Sequence, residues 1–214
     1  MEDIKILSFG FAGGLPIIGL NSCGIALCIN ALRDGKVKPG VPVSVITRDI
    51  LQQKTIGQAL YSIARACRAT SVNLLLGDKN GELYDVEITK DRYMPIYGQH
   101  SLVHTNHFLS RGLLTPDLNE RDFALEKGTS TIVRYNRMQK LIAKNFGTID
   151  EKKLKEFLSD HVNYPESICR HPKNGEPTRT ESITIGSFIM KPEENVMLVA
   201  DGNPCQKEFQ RFKL

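Results

Sequence analysis

The apolar positions of this chain recur in two rhythms, and the rhythm changes several times along its length. Ile4–Leu7, Ile17–Leu20 and Gly24–Leu32 are short Ile- and Leu-rich runs set apart by Gly13-Gly14 and Asn21-Ser22. They predict strands of an antiparallel meander. A loop carrying Asp34-Gly35, Pro39-Gly40 and Pro42 follows. The period then lengthens. Val45, Ile46, Asp49 and Ile50 give a half-apolar helical face in 43–52. In 56–68 Ile56, Ala59, Leu60, Ile63, Ala64 and Cys67 recur at helical spacing, with Thr55 placed to cap them.

Alternation returns at Ser71–Leu76 and Glu82–Thr89. Between them lies Asp78-Lys79-Asn80-Gly81, and Asn-Gly accepts the positive φ that a tight hairpin needs. Tyr93–Tyr97 and Leu102–Thr105 predict further strands, and 116–127 is polar and irregular. A helix is expected over 130–145, ended by Gly147. Thr148-Ile149-Asp150-Glu151 has capping-box spacing and opens a helix through Leu154, Phe157 and Leu158. The proline-rich 163–180 reads as loop, Ser182–Met190 and Asn195–Ala200 as a hairpin, and Glu208–Phe212 as a terminal strand. The order is strands, two helices, strands, two helices, strands. It points to one α+β domain over 1–214, with two stacked antiparallel sheets and a helix pair on each outer side.

Composition narrows the function. Hydrophobic residues make up 41% of the 214, enough for a core. Lys and Arg number 28 against 24 Asp and Glu, and no basic stripe is present, which argues against a nucleic-acid partner. No window is apolar enough for a membrane span, and the first residues have no leader pattern. The five cysteines, Cys23, Cys28, Cys67, Cys169 and Cys205, are odd in number and contain no C-x-x-C. That spacing supports neither a disulfide framework nor a zinc site, and it suits a reducing cytoplasm. Cys28 and Cys67 read as small core residues.

Three stretches carry candidate chemistry. His104-Thr105-Asn106-His107 follows an apolar run. Its histidines lack a third ligand of matching context, so a polar turn is the plain reading. Asn106 offers a side-chain amide suited to an oxyanion. Arg170 closes Tyr164-Pro165-Glu166-Ser167-Ile168-Cys169-Arg170. It is placed either to pair a carboxylate within the fold, to bind one on a substrate, or to orient a catalytic group. Cys23 lies in Gly19-Leu20-Asn21-Ser22-Cys23-Gly24 with no base or cation named beside it, as a nucleophile would need. A G-x-G-x-x-G nucleotide loop is absent.

Taken together, Gly19–Ala26, Asn30-Ala31-Leu32, Val41-Pro42, Val103–His107 and Tyr164–Arg170 resemble the acyl-coenzyme A:isopenicillin N (6-aminopenicillanic acid) acyltransferase family. The resemblance runs from about Ile4 to the end, in matching order and spacing. It implies an N-terminal-nucleophile (Ntn) hydrolase fold, an αββα four-layer sandwich. It also implies a cysteine nucleophile created by self-cleavage, whose α-amino group serves as base. An amide or thioester carbonyl is attacked, an acyl-enzyme forms, and water or an amine takes the acyl group. Residue by residue, Asn106 matches the oxyanion Asn, Arg170 an active-site Arg, and Thr89 a hydroxyl residue near the nucleophile. No cofactor and no metal are implied. The implied partners are a small amide or acyl-thioester and a complementing N-terminal fragment. The family's nucleophile lies upstream of the strand at Ile4, and neither Cys23 nor Cys28 aligns with it. The expectation is therefore an N-terminally incomplete member lacking its first strands. The alternative is a non-catalytic relative that binds an acylated molecule or persists as a scaffold. A third reading has Cys23 as a cryptic nucleophile.

Overall fold

A computed structural model describes residues 3–32, 38–98, 100–113, 130–175 and 182–214. The expected Asp34-Gly35 loop, the irregular 116–127 segment and the end of the 163–180 loop lie outside these residues.

Six strands form one sheet: β1 (Ile6–Phe9), β2 (Ile18–Asn21), β3 (Ile25–Ala31), β4 (Val72–Asp78), β5 (Leu83–Ile88) and β6 (Tyr93–Ile96). They lie side by side in chain order, each antiparallel to the next. This is the expected meander, with the helical excursion inserted between β3 and β4. The hairpin at Asn80-Gly81 is present. Gly81 has φ +85°, and the Asp78 carboxylate accepts from Asn80 N at 2.8 Å and Glu82 N at 3.1 Å. Pro95 sits in β6, an edge strand, where a missing N–H costs least.

Helices α1 (Val43–Leu51) and α2 (Ile56–Arg65) cover one face of this sheet. Leu27, Leu74 and Val86 meet Ile46, Ile50 and Ile63 in the main core. Thr55 caps α2 as its sequence predicts, accepting from Gln58 N at 3.3 Å. Two expectations fail here. Val45 points outward, because α1 buries Ile46, Thr47, Ile50 and Leu51 instead. Cys67 is exposed, because α2 stops at Arg65. The buried Arg68 then turns back and donates to the carbonyls of Ile63, Ala66 and Thr89 at 3.0, 3.2 and 2.7 Å. It satisfies helix-end carbonyls that an extended helix would have used.

Asn21 ties the sheet to the helices. Its Oδ1 accepts from Cys23 N and Ile25 N, both at 3.0 Å, and its Nδ2 donates to Leu51 O at 3.0 Å and Gln53 O at 2.8 Å. The residue is fully buried, so truncation leaves four backbone groups without partners. Asn21→Ala is expected to cost about 3 kcal/mol, read from urea unfolding. A loss under about 0.5 kcal/mol, the size of an ordinary surface change, would contradict this bracing role.

Two further helices, α3 (Ser130–Lys144) and α4 (Glu151–Leu158), and a three-stranded sheet complete the described elements. The strands are β7 (Ser187–Lys191), β8 (Val196–Ala200) and β9 (Gln210–Lys213), in that order. Gly147 ends α3's turn at φ +79°, as expected. The cap of α4 is Asp150, whose carboxylate accepts from Lys153 N at 2.8 Å. The expected cap, Thr148, instead donates to Asn145 O at 2.9 Å and closes the preceding turn. Leu102–Thr105 is not a strand. Packing gathers the chain into two compact units, residues 1–127 with 190–197 and 213–214, and residues 128–189 with 198–212. No helix among the described residues is long and apolar enough to cross a membrane.

Candidate functional site

In the first unit the site rests on the sheet face opposite α1 and α2. Successive strand residues point to opposite faces, and cross-strand partners share a face. Tyr84, Val86 and Ile88 belong to the helix-covered core, so Asp85 and Glu87 lie on the other face. Register places Asn30, Asn73 and Glu87 in one row, and Cys28, Leu75 and Asp85 in the next. A polar face results, and it is buried: Asn73, Asp85 and Glu87 are each at most 1% exposed.

Glu87 organises the segment that carries Asn106. Its carboxylate accepts from Leu109 N at 2.6 Å and Ser110 N at 2.9 Å, and lies 2.8 Å from His104 Nε2. The Glu87 and His104 side chains are fully buried. His104 Nδ1 faces the Thr105 carbonyl at 2.7 Å, and Thr105 Oγ1 meets His107 Nδ1 at 3.1 Å. Both ring nitrogens of His104 thus face oxygen acceptors. Burial alone would raise the Glu87 carboxyl, but the bonds from His104, Leu109 and Ser110 hold it below its ordinary value. Glu87 thus gathers the His104 ring and the Leu109 and Ser110 amides around one buried carboxylate, and 102–105 forms no strand. Asn106 sits at the head of this loop, and its Nδ2 donates to Ala31 O at the end of β3 at 3.2 Å. His104 and His107, considered above as metal ligands, are held in this network.

Thr89 follows β5 directly. Its N–H donates to Arg92 O at 2.8 Å, and its hydroxyl accepts from Arg92 N at 3.1 Å. The residue is 6% exposed and shapes the β5–β6 turn. Cys23 lies in the β2–β3 turn, where its N–H is taken by Asn21. Among the described residues no hydrogen bond reaches its thiol. The Cys28 thiol is pushed up to about 11 by burial, which leaves it a poor nucleophile.

Asp85 differs from its neighbour. Burial pushes its carboxyl up to about 6, opposed by the nearby His104 and the Asn73 amide. Asn73 lies beside it, yet neither carboxylate oxygen meets hydrogen-bond geometry with any described residue. In the unfolded chain the group titrates near 3.8, so between the two values the folded chain holds more protons. Stability from this group is therefore greatest below about 3.8 and falls as pH rises towards 6. Asp85→Asn should gain on wild type by about 2–3 kcal/mol as the pH is taken from about 4 to about 7.5. Urea unfolding at the two pH values reads this, and a pH-independent difference would contradict it.

Arg170 belongs to the second unit. Its guanidinium donates to Ser130 Oγ at 2.5 Å, and its peptide is held on both sides. Arg170 N donates to Thr184 Oγ1 at 2.9 Å, and its carbonyl accepts from Asn203 Nδ2 at 2.7 Å. Its Nε is buried with no hydrogen-bond partner among the described residues. Arg134, one turn along α3 from Ser130, is a neighbour that sequence reading passed over. Burial and, after it, the charge of Arg170 lower it to about 10, with Glu166 opposing. Arg170 is itself lowered by burial, with Glu166 opposing. Two guanidiniums sharing a desolvated place favour an anion beside them. The Glu87 anchor was equally hidden in the sequence, where it reads as the outward residue of an alternating strand. Four potential metal ligands also converge in this unit, His161, Cys169, His171 and Cys205.

Comparison with known proteins gives concordant results. The profile of the family described as acyl-coenzyme A:6-aminopenicillanic acid acyl-transferase matches residues 8–205. The acyl-coenzyme A:6-aminopenicillanic-acid-acyltransferase 40 kDa form of Emericella nidulans is 29% identical over 206 residues, covering 94% of this chain and 55% of that protein. The chain thus spans about half the length of this relative. Penicillin V acylase from Agrobacterium tumefaciens superposes with a TM-score of 0.60 at 15% identity, over 94% of this chain and 67% of that one. A variant of conjugated bile acid hydrolase from Clostridium perfringens gives 0.59 at 12%, over 99% and 81%. At these identities the structural likeness establishes the fold, the mixed α+β arrangement with antiparallel sheets expected from the sequence.

Proposed function

Because the chain belongs to the acyl-coenzyme A:6-aminopenicillanic acid acyltransferase family, we propose that it builds the acyl-handling part of an Ntn amide hydrolase or acyltransferase. The substrate class is a small acylated molecule with a C–N amide or a thioester. The observation that carries this reading is the Asn106 loop, held by Glu87 within a chain matched over residues 8–205. We assign the whole of 1–214 to one such catalytic domain.

In this reading a cysteine thiolate attacks the carbonyl carbon, and the α-amino group of the same residue accepts the thiol proton. Such an amine titrates near 7.7–8.0 when unperturbed, so part of it is neutral at physiological pH. Negative charge moves to the carbonyl oxygen, where the Asn106 amide donates to it. Collapse breaks the C–N bond, the amine leaves with a proton, and a thioester acyl-enzyme remains. Water or an amine acceptor then attacks and regenerates the thiol. Within the second unit, Arg170 with Arg134 beside it is suited to an anionic group. Thr89 takes a positioning role at the end of β5. The nucleophile is assigned to a complementing N-terminal segment. That assignment rests on the family resemblance, in which the nucleophile precedes the strand at Ile4, and on the raised thiol of Cys28.

The test is to incubate an acyl-thioester with the chain alone and with the chain co-produced with the coding segment preceding it, then map the adduct by mass spectrometry. The expected label is on an N-terminal cysteine of that segment. Acylation of Cys23, lost in Cys23→Ala, would overturn the assignment. Tight binding of acyl amides without any acylation in either preparation would favour the non-catalytic alternative.

A further inference from the structure

The second unit holds a side-chain cluster that the proposed acyl transfer does not use. His161 follows α4, Cys169 and His171 flank Arg170, and Cys205 follows β8. One ligand atom from each lies within 4.8 Å of all the others. We propose that these four residues form a Cys2His2 zinc site.

The geometry carries the assignment. With Zn–S bonds of about 2.3 Å and Zn–N bonds of about 2.0–2.1 Å, tetrahedral ligands stand apart by about 3.8 Å for two sulfurs, about 3.5 Å for sulfur and nitrogen, and about 3.3 Å for two nitrogens. Here Cys169 Sγ and Cys205 Sγ are 3.6 Å apart. His171 Nε2 lies 3.5 Å from Cys169 Sγ and 3.4 Å from Cys205 Sγ. The Nε2 atoms of His161 and His171 are 3.1 Å apart. These four of the six edges match a tetrahedron around one ion, and the other two, from His161 to the sulfurs, lie within 4.8 Å. Two thiolates with two imidazoles suit zinc above hard cations such as magnesium or calcium.

The surroundings hold these ligands in place. Asn203 Nδ2 donates to Cys169 Sγ at 3.3 Å, the kind of second bond that steadies a metal thiolate. Cys169 N donates to Asp160 O at 3.0 Å, and His171 N donates to Pro165 O at 3.1 Å. The Tyr164 ring packs against both imidazoles, with centroids 6.1 Å from His161 and 5.5 Å from His171. A Cys169–Cys205 disulfide is the competing use of the sulfurs. It would need them at about 2.05 Å, and it leaves the converging histidines without a purpose. Binding releases the thiol protons to solvent as the thiolates coordinate, with no change of redox state. Because its ligands flank Arg170, the metal clamps that residue's backbone on both sides. The sequence concealed the site, since 161, 169, 171 and 205 follow no familiar ligand spacing.

The experiment titrates the full chain, purified under reducing conditions and stripped by chelator, with Co2+ and then Zn2+. About one equivalent of Co2+ should bind, showing strong tetrahedral d–d bands and a thiolate charge-transfer band, and Zn2+ should displace it. Cys205→Ser and His161→Gln, both at exposed positions, should each weaken binding by more than about 100-fold. Asn203→Ala should weaken it by roughly 10–100-fold. Cys67→Ser, an exposed thiol outside the cluster, should leave it unchanged. The proposal is overturned by a cobalt spectrum without the thiolate band, by undiminished affinity in both ligand variants, or by a Cys169–Cys205 disulfide that persists under reductant and excludes the metal. The wild-type titration stands by itself should a variant fail to fold.

Discussion

Replacing Glu87 with alanine is expected to remove about 3–5 kcal/mol of stability, seen as a large fall in the urea midpoint. The carboxylate is fully buried and gathers three donors, Leu109 N, Ser110 N and His104 Nε2. Truncation strands all three away from water, and an unpaired buried group costs more than its bond contributes. Glu87→Gln keeps the shape but turns an amide NH2 towards one of these donors, so an intermediate loss is expected. The pH dependence is opposite in sign to that of Asp85. The Glu87 carboxyl is held below its ordinary value, so its contribution is present above that value and is lost on acidification. A loss below about 1 kcal/mol in Glu87→Ala would contradict an anchoring role, since a single ordinary hydrogen bond is worth that much. Any Asn106 activity should fall with it, because the same bonds hold the Asn106 loop.

Asn106→Ala should instead act on rate and largely spare stability. Losing one oxyanion donor lowers kcat by about 10²–10³, equivalent to about 2.7–4 kcal/mol of transition-state stabilisation. KM should move little, because the ground-state carbonyl carries little charge. The measurement is steady-state hydrolysis of an acyl amide by the protein carrying its nucleophile segment, with thermal melting of the same samples. A loss under about 10-fold with an intact fold would remove Asn106 from the oxyanion site. The bond from its Nδ2 to Ala31 O is solvent-exposed, so the fold should tolerate its loss.

The elements legible in the sequence are those specified by local chemistry. The Asn80-Gly81 hairpin follows from positive φ, the start of α2 from the Thr55 cap, and the meander from alternating short runs. Errors arose where a distant partner decides the outcome. Leu102–Thr105 has strand composition, but in the fold the His104 side chain turns to the buried Glu87 carboxylate, seventeen residues earlier. Arg68 lies beyond α2 because its guanidinium has carbonyls to cap, and that shortens the helix and exposes Cys67. Asp85 and Glu87 alternate with core residues and look solvent-facing, yet both are buried. Asn106 and Arg170 stood out as candidates because each lies in a distinctive motif. Arg134, Asn21 and the His161–Cys205 cluster did not, since their roles come from neighbours brought together only by the fold.

The most direct test of the central claim compares amide hydrolysis by residues 1–214 alone with that of the same chain joined by its preceding coding segment. The predicted result is turnover only in the combined protein, abolished when that segment's N-terminal cysteine is replaced. Turnover by the isolated chain, or none in either preparation across acyl amides and thioesters, would contradict it.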